Sequence, residues 1–252
     1  MLARVDKIDG IYLKRNDLNE FCGCFGGKAE CIYDFISNSE IKTFVTCGSR
    51  DSLQCEIVSQ MCEVLGYSCH IFMPSGSDTP SIIRMKGMAK TVLHPIRDGY
   101  MVVVKKRARD FAEECGMTLI PFGMQTPKSV KVIAKQVENI PEDIKRIVVP
   151  VGGGITICGV MQGLVDFNRK EVEVLGVITG CDPKKVIKVY QPMFNPIRYE
   201  LQPWAEEAPT KRYSGRQASV VGDVKLDAVY EGKCREFLRE NDLLWIVGYH
   251  EV

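Results

Sequence analysis

Three consecutive glycines, Gly152 to Gly154, interrupt the apolar stretch IVVPVGGGITICGVMQGLV at Ile147–Val165. No other segment limits the fold as strongly. One apolar run ends at Val151, and a second, with small residues at Cys158 and Gly159, begins at Ile155. That order reads as strand, glycine turn, helix. Glycine lets a backbone approach an anion closely, and the first turn of a helix offers unpaired N–H groups at the positive end of its dipole. Thr156 adds a hydroxyl donor. The stretch is not a Walker A loop: Gly154 and Gly159 have the right separation, but Val160 stands where a lysine is required. It is not the dinucleotide fingerprint either, because Ile157 occupies the third glycine position. The run is free of charge and about as long as a membrane span. Three adjacent glycines, each costing about 1 kcal/mol in a helix, argue against a spanning helix. Two readings stay open: a phosphate-binding loop, or a tight strand-to-helix turn with no ligand.

With 252 residues, 45% of them hydrophobic, the chain can build one large domain or two modest ones. A net charge of +1 gives no global field toward nucleic acid or membrane. The eleven cysteines are odd in number and lie singly in apolar runs, as at Cys55, Cys62, Cys69, Cys115 and Cys158. The closest pair is Cys22-Gly23-Cys24, and there are three histidines, so no metal site is expected. Reduced, buried thiols in a cytoplasmic protein are the expectation. Met1 leads into a charged segment without a signal-peptide pattern, and no membrane partner is expected.

Periodicity and turn residues place strands at Ile11–Leu13, Ile41–Cys47, Ser68–Met73, Thr91–His94, Thr118–Pro121, Arg146–Val151, Glu173–Ile178 and Leu243–Val247. Helices are expected over Ala29–Ser37, from Gly48–Asp51 to Leu65 with Gly66 as C-cap, and over Ile82–Ala89, Asp98–Cys115 and Lys128–Glu138. Another is expected within Val229–Glu240. The proline-containing segment from Cys181 to Gly222 has no clear assignment. Strands alternate with helices, which predicts an α/β fold with parallel sheets flanked by helices. The basic run Lys105–Arg109 reads first as a solvated helix face and second as a phosphate contact.

Three separated motifs resemble one family. Ile11–Lys28, IYLKRNDLNEFCGCFGGK, is similar to the segment that ends in the cofactor lysine of the aminocyclopropanecarboxylate deaminase and D-cysteine desulfhydrase group. These are pyridoxal-phosphate enzymes of the tryptophan-synthase-β fold type (fold type II). VPVGGGITICG at Val149–Gly159 resembles the phosphate cup of that fold, and LDAVYEGK at Leu226–Lys233 resembles a late active-site motif with adjacent tyrosine and glutamate. LGYSCHIFMPSG fits the small domain of these enzymes. The similarity is colinear over most of the chain and thins at 76–115 and 181–222.

The resemblance implies pyridoxal 5′-phosphate as cofactor and two domains: a large one of residues 1–45 and 125–252, and a small one of residues 46–124. It puts the Schiff-base lysine at Lys28 and phosphate donors at Gly152, Gly153, Gly154, Ile155 and Thr156. Glu231 becomes the partner of the pyridine nitrogen, Tyr230 a phenol beside the substrate, and Ser52 the serine of the helix-start motif. Burial would lower the Lys28 pKa and favour the neutral amine that attacks an aldehyde. Lys28 also reads as a surface lysine, Glu231 as a solvated helix-start carboxylate and Tyr230 as a core tyrosine.

The departures are specific. The family usually reads GGNK, whereas Gly26-Gly27-Lys28 are contiguous. Leu53 follows Ser52 where an asparagine bonds the cofactor oxygen and the substrate carboxylate; Ser49 or Gln54 are the available replacements, and Arg50 is an alternative anion contact. The expected activity is a deaminase or lyase acting on an amino-acid group, in a homodimer. One alternative is a decarboxylase or lyase acting on an amino acid attached to a macromolecule such as a hypermodified DNA base of a viral pathway. Its nucleic-acid support is limited to Lys105–Arg109, Lys184-Lys185 and Lys211-Arg212. Another is a catalytically inactive binding protein.

Overall fold

The computed structural model describes residues 1–97, 99–205 and 214–248. In chain order its strands are β1 (Val5–Ile8), β2 (Ile11–Arg15), β3 (Glu20–Phe21), β4 (Cys24–Phe25), β5 (Thr43–Cys47), β6 (Ser68–Pro74) and β7 (Thr91–Ile96). They continue with β8 (Thr118–Leu119), β9 (Arg146–Val151), β10 (Glu173–Ile178), β11 (Tyr199–Pro203), β12 (Ser219–Val221), β13 (Val224–Leu226) and β14 (Leu243–Ile246). The helices are α1 (Gly27–Ser37), α2 (Leu53–Leu65), α3 (Pro80–Lys86), α4 (Met101–Glu114), α5 (Pro127–Lys135), α6 (Ile155–Asp166) and α7 (Lys184–Phe194). Two compact units result. One holds Met1–Asn19, Phe25–Gly27 and Thr126–Val252; the other holds Glu20–Cys24 and Lys28–Gln125.

The first unit is built on a six-stranded sheet in the order β1-β2-β14-β9-β10-β11. β1 and β2 form an antiparallel hairpin, and the remaining neighbours are parallel. The central strands are buried on both faces, which explains why β9, β10 and β14 read as near-continuous apolar runs. Val151 and Ile178 pair at the C-terminal ends of β9 and β10. The glycine triplet therefore leaves the sheet at the edge where parallel α/β sheets carry their ligands. Between those strands runs α6, whose glycines allow close helix packing. A Cβ on Gly159 would lie 3.1 Å from the Val130 carbonyl oxygen, and one on Gly163 would lie 2.5 Å from that of Ala134, both in α5.

The second unit has a fully parallel four-stranded sheet in the order β7-β6-β5-β8. α4 covers one face through Val104, Ala108 and Ala112 against Val45, Cys47 and Phe72. Gly66, at φ 72°, closes α2 in the left-handed conformation its C-cap requires.

The expected strands recur, with β9 and β10 at the bounds read from sequence. The segment from Cys181 to Gly222 supplies α7 and the edge strand β11, which ends at Pro203, where a missing donor costs least. The helix expected within Val229–Glu240 is instead a 3-10 segment at Glu231–Phe237. The cause is local: the Asp227 side chain accepts the Val229 and Tyr230 N–H groups, offering the backbone an alternative to α-helical bonding. Ile147–Val165 divides into β9 and α6, and among the described residues no helix is long and apolar enough to cross a membrane. Asp98, proposed as a helix start, Lys211-Arg212 and His250-Glu251-Val252 lie outside the described residues. All eleven cysteines are free thiols; Cys115 and Cys181 are exposed.

Candidate active site

The glycine triplet opens α6. Gly154 is its N-cap at φ 94°, with no side chain capping the helix. The first intrahelical bond runs from the Cys158 N–H to the Gly154 carbonyl, so the N–H groups of Ile155, Thr156 and Ile157 precede it. An anion at this end would meet those donors and the helix dipole. Two of the glycines lie close against what surrounds them. A Cβ on Gly152 would lie 3.0 Å from the Tyr230 ring, and one on Gly154 would lie 3.1 Å from Pro183. Tyr230 is thus brought against the start of the cradle. Gly152→Ala is expected to displace the ring and weaken cofactor binding about tenfold, the equivalent of about 1.4 kcal/mol; titration of the variant with pyridoxal phosphate measures it.

Glu231, the next residue, is completely buried. Its Oε1 accepts the Val247 N–H at 2.6 Å, while its Oε2 is buried with no hydrogen-bond partner. Burial first, then the nearby Asp227 and Asp17 carboxylates, push its pKa well above the ordinary value of 4.5. The folded state therefore binds a proton that the unfolded chain has released, so stability falls as pH rises above about 4.5. Glu231→Gln is expected to remove that slope from thermal unfolding measured between pH 4.5 and neutrality.

Val247 also explains the glycine pair before Lys28. The Gly27 N–H donates to the Val247 carbonyl at 2.9 Å. Gly26, at φ 97°, has no room for a side chain, since a Cβ would lie 2.6 Å from the same oxygen. One residue after β14 thus joins the residue preceding Lys28 to the Glu231 carboxyl. Nothing in the sequence marked Val247, because its contribution is backbone alone. Asn16 and Asn19 carry no such mark in the sequence either. Both are buried, with Asn16 Oδ1 and Asn19 Nδ2 lacking partners, and the Asn16 amide lies by Gly27.

In the second unit Lys28 sits in the first turn of α1, half-buried. Burial lowers its pKa, partly opposed by the Cys55 and Cys31 thiols. Cys55 is pushed up to about 12, chiefly by burial, and is hydrogen-bonded by the Ser52 hydroxyl. The structure therefore brings Lys28 and Ser52 to the same thiol. Ser52 is the N-cap of α2, and the turn before it is so tight that a Cβ on Gly48 would collide with the Ser52 side chain.

Of the residues offered at this turn, Gln54 and Arg50 are engaged with protein atoms. Gln54 donates its amide to Thr46 Oγ1 at 3.0 Å and to the Pro121 carbonyl at 2.9 Å. Arg50 donates to the Pro74 and Ser77 carbonyls and lies 3.7 Å from Asp78, so it is a loop clasp. In the basic run on α4, Lys106 pairs with Asp110 at 2.6 Å and Lys105 lies 3.8 Å over the Phe122 ring, while Arg107 and Arg109 are exposed.

In the first unit a mostly parallel sheet carries a glycine-opened helix N-terminus beside a tyrosine, and a buried carboxyl with one bare oxygen. The family follows from sequence: the profile of the pyridoxal-phosphate dependent enzymes matches residues 2–231, and the chain belongs to that family. Its cofactor is pyridoxal phosphate. No curated protein sequence matches it. Among solved structures, an ACC deaminase homologue superposes with a TM-score of 0.77 at 20% identity, over 98% of this chain and 89% of that one. Threonine deaminase isoform 2 from Solanum lycopersicum gives 0.68 at 17% identity, over 96% and 75% of the two chains. Maize serine racemase gives 0.67 at 14%, over 99% and 88%. These likenesses establish fold type II.

The residues present suit the cofactor. Uncapped N–H groups at α6 suit its phosphate, the bare Glu231 Oε2 suits a ring nitrogen, and Lys28 has the lowered proton affinity that an aldehyde-binding amine needs.

Proposed function

We propose that this chain is a pyridoxal-phosphate enzyme of the deaminase or lyase type, acting on an amino-acid group. Lys28 provides the amine that holds the cofactor and afterwards moves a proton at the substrate carbon. The α6 N-terminus, Gly152 to Thr156, binds the phosphate. When bound, the cofactor supplies an electron sink conjugated to the substrate amine. Glu231 orients the ring through its nitrogen and keeps a proton there, which strengthens that sink and suits elimination. Tyr230 places a phenol by the cradle, and Ser52 a hydroxyl near Lys28 through Cys55.

The observation carrying this reading is the Val247 bridge. It ties the residue before Lys28 to Glu231 and leaves one Glu231 oxygen bare. The experiment is a screen of amino acids against the reconstituted protein for ammonia, 2-oxo acid and carbon dioxide, with chirality followed in parallel. Release of ammonia with a 2-oxo acid is expected; racemisation without release would remove the deaminase assignment. Replacing Glu231 by Gln is expected to preserve cofactor uptake and lower turnover by about 10²-fold or more. Unchanged turnover would take Glu231 out of the mechanism.

The start of α2 supports a second reading. Leu53 offers no donor, and Gln54 and Arg50 are engaged with protein atoms. A substrate held mainly by other groups, such as an amino acid attached to a larger molecule, fits such a turn. Turnover of an amino-acid amide or adduct in preference to the free acid would favour it. Cofactor uptake with no turnover of any substrate would mark a binding protein. A homodimer follows from the family resemblance, and sedimentation of the reconstituted protein tests it.

A further inference from the structure

We propose that Asp227 is the positioning residue of the Tyr230–Glu231 pair, its side chain holding their turn and its charge deciding whether Glu231 presents an acid O–H or a bare carboxylate to the cofactor ring. The inference rests on the reading of Glu231 as the ring partner.

Asp227 is 2% exposed and lies four residues before Glu231. Its Oδ1 accepts the Val229 N–H at 2.7 Å and the Tyr230 N–H at 2.9 Å. Its main-chain carbonyl accepts the Gly232 N–H at 2.8 Å and the Tyr230 N–H at 3.3 Å. One residue thus fixes the backbone on both sides of the pair. Gly232 tightens the turn further, since a Cβ there would strike the Gln217 carbonyl oxygen. The turn has little freedom, so the Tyr230 ring is held against Gly152 and the Glu231 side chain is directed inward.

The second effect is electrostatic. Asp227 is the largest charge acting on Glu231, and Asp17 adds a smaller push of the same sign. The Val247 N–H opposes them. Cys234, on Glu231's own segment, is wholly buried and its thiol is raised well above its usual value, so it adds no negative charge of its own. Lys233 points to the Trp204 ring, 4.7 Å away, and itself feels Asp227 and Arg216. Strands β9, β12 and β14 pack on this segment. The charged side chain they contribute, Arg146, is paired with Asp242. Two buried carboxyls four residues apart cannot both hold a charge cheaply, and among the described residues the groups acting on Glu231 include no cation. Asp227 has two N–H donors and Glu231 Oε2 has none, so the proton resides on Glu231. An acid O–H at Oε2 can be given directly to a ring nitrogen.

The variant Asp227→Asn keeps an oxygen acceptor for both N–H groups and removes the charge. In cofactor-free protein, the infrared band of the Glu231 carboxylic acid, assigned by its absence in Glu231→Gln, is followed against pH. The expected result is loss of the band at lower pH in Asp227→Asn than in wild type, with the melting temperature nearly kept. Asp17→Asn should shift it less. Should the amide variant not fold, Asp227→Ser repeats the test with a hydroxyl acceptor in the same turn. An unmoved band in the folded variant would overturn the inference. Failure of the protein to take up pyridoxal phosphate would instead defeat the reading of Glu231, and the cofactor-free titration separates the two outcomes.

Discussion

Lys28→Ala protein is expected to bind pyridoxal phosphate without retaining it covalently and to lose about 10²–10⁴-fold in turnover, the range for removing a positioned proton-transfer group. Two roles would end at once, because the proposal has the same amine hold the cofactor and move the proton. Burial already biases Lys28 toward the neutral amine. Lys28→Arg is a sharper control: it keeps a cation and a long stem, but guanidinium stays charged and cannot act as the amine. Both variants should fold, since Lys28 is half-buried at the start of α1 and no salt bridge depends on it among the described residues. Dialysis of the yellow protein against buffer, followed by its spectrum and an activity assay, measures both losses. Retained colour and activity in Lys28→Ala would move the amine elsewhere; Lys14 and Lys233, both buried, are the lysines to check next.

The largest expected effect on stability lies in α6. Gly163→Val places a Cβ 2.5 Å from the Ala134 carbonyl oxygen and into contact with Val137. Helix propensity alone favours the change by a few tenths of a kcal/mol at most, since valine is itself a weak helix former. Overpacking costs about 1–3 kcal/mol or more where the neighbour is backbone that cannot rotate away. The clash wins. For a chain of this length, 1 kcal/mol corresponds to about 2–4 °C in melting temperature, so a drop of several degrees is expected. Because α6 begins at the glycine cradle, its displacement should also lower cofactor affinity. Calorimetry of the cofactor-free protein and pyridoxal-phosphate titration report the two effects separately. A variant as stable as wild type would show that α5 and α6 do not approach as closely as described.

Much of the first unit's fold was legible because its strands are buried on both faces. Apolar runs such as Arg146–Val151 and Glu173–Ile178 have few alternatives once turn residues bound them. The hairpin strand β1 escaped notice because its edge position lets Asp6 and Lys7 interrupt the pattern. α7 and β11 were hidden by prolines: Pro183 at the start of α7, Pro192 within its last turn, and Pro203 at the end of a sheet-edge strand. At the candidate site, Gly152–Thr156 could be singled out as a strand-to-helix glycine turn, with an anion loop and an empty turn both open, whereas Lys28 stood out only through the family resemblance. Contacts made by backbone could not be singled out. Val247 contributes an N–H and a carbonyl that any residue possesses, and Asp227 acts through a turn that looked helical from its neighbours. The occupied state of Gln54 and Arg50 likewise depends on Thr46, Pro74, Ser77 and Pro121, distant in sequence.

The most direct test of the Lys28 assignment is borohydride reduction of the pyridoxal-phosphate-loaded protein followed by peptide mass analysis. The expected result is loss of the visible band and a phosphopyridoxyl mass increment on the peptide containing Lys28. An increment on a different lysine, or a protein that remains colourless with added pyridoxal phosphate, would contradict it.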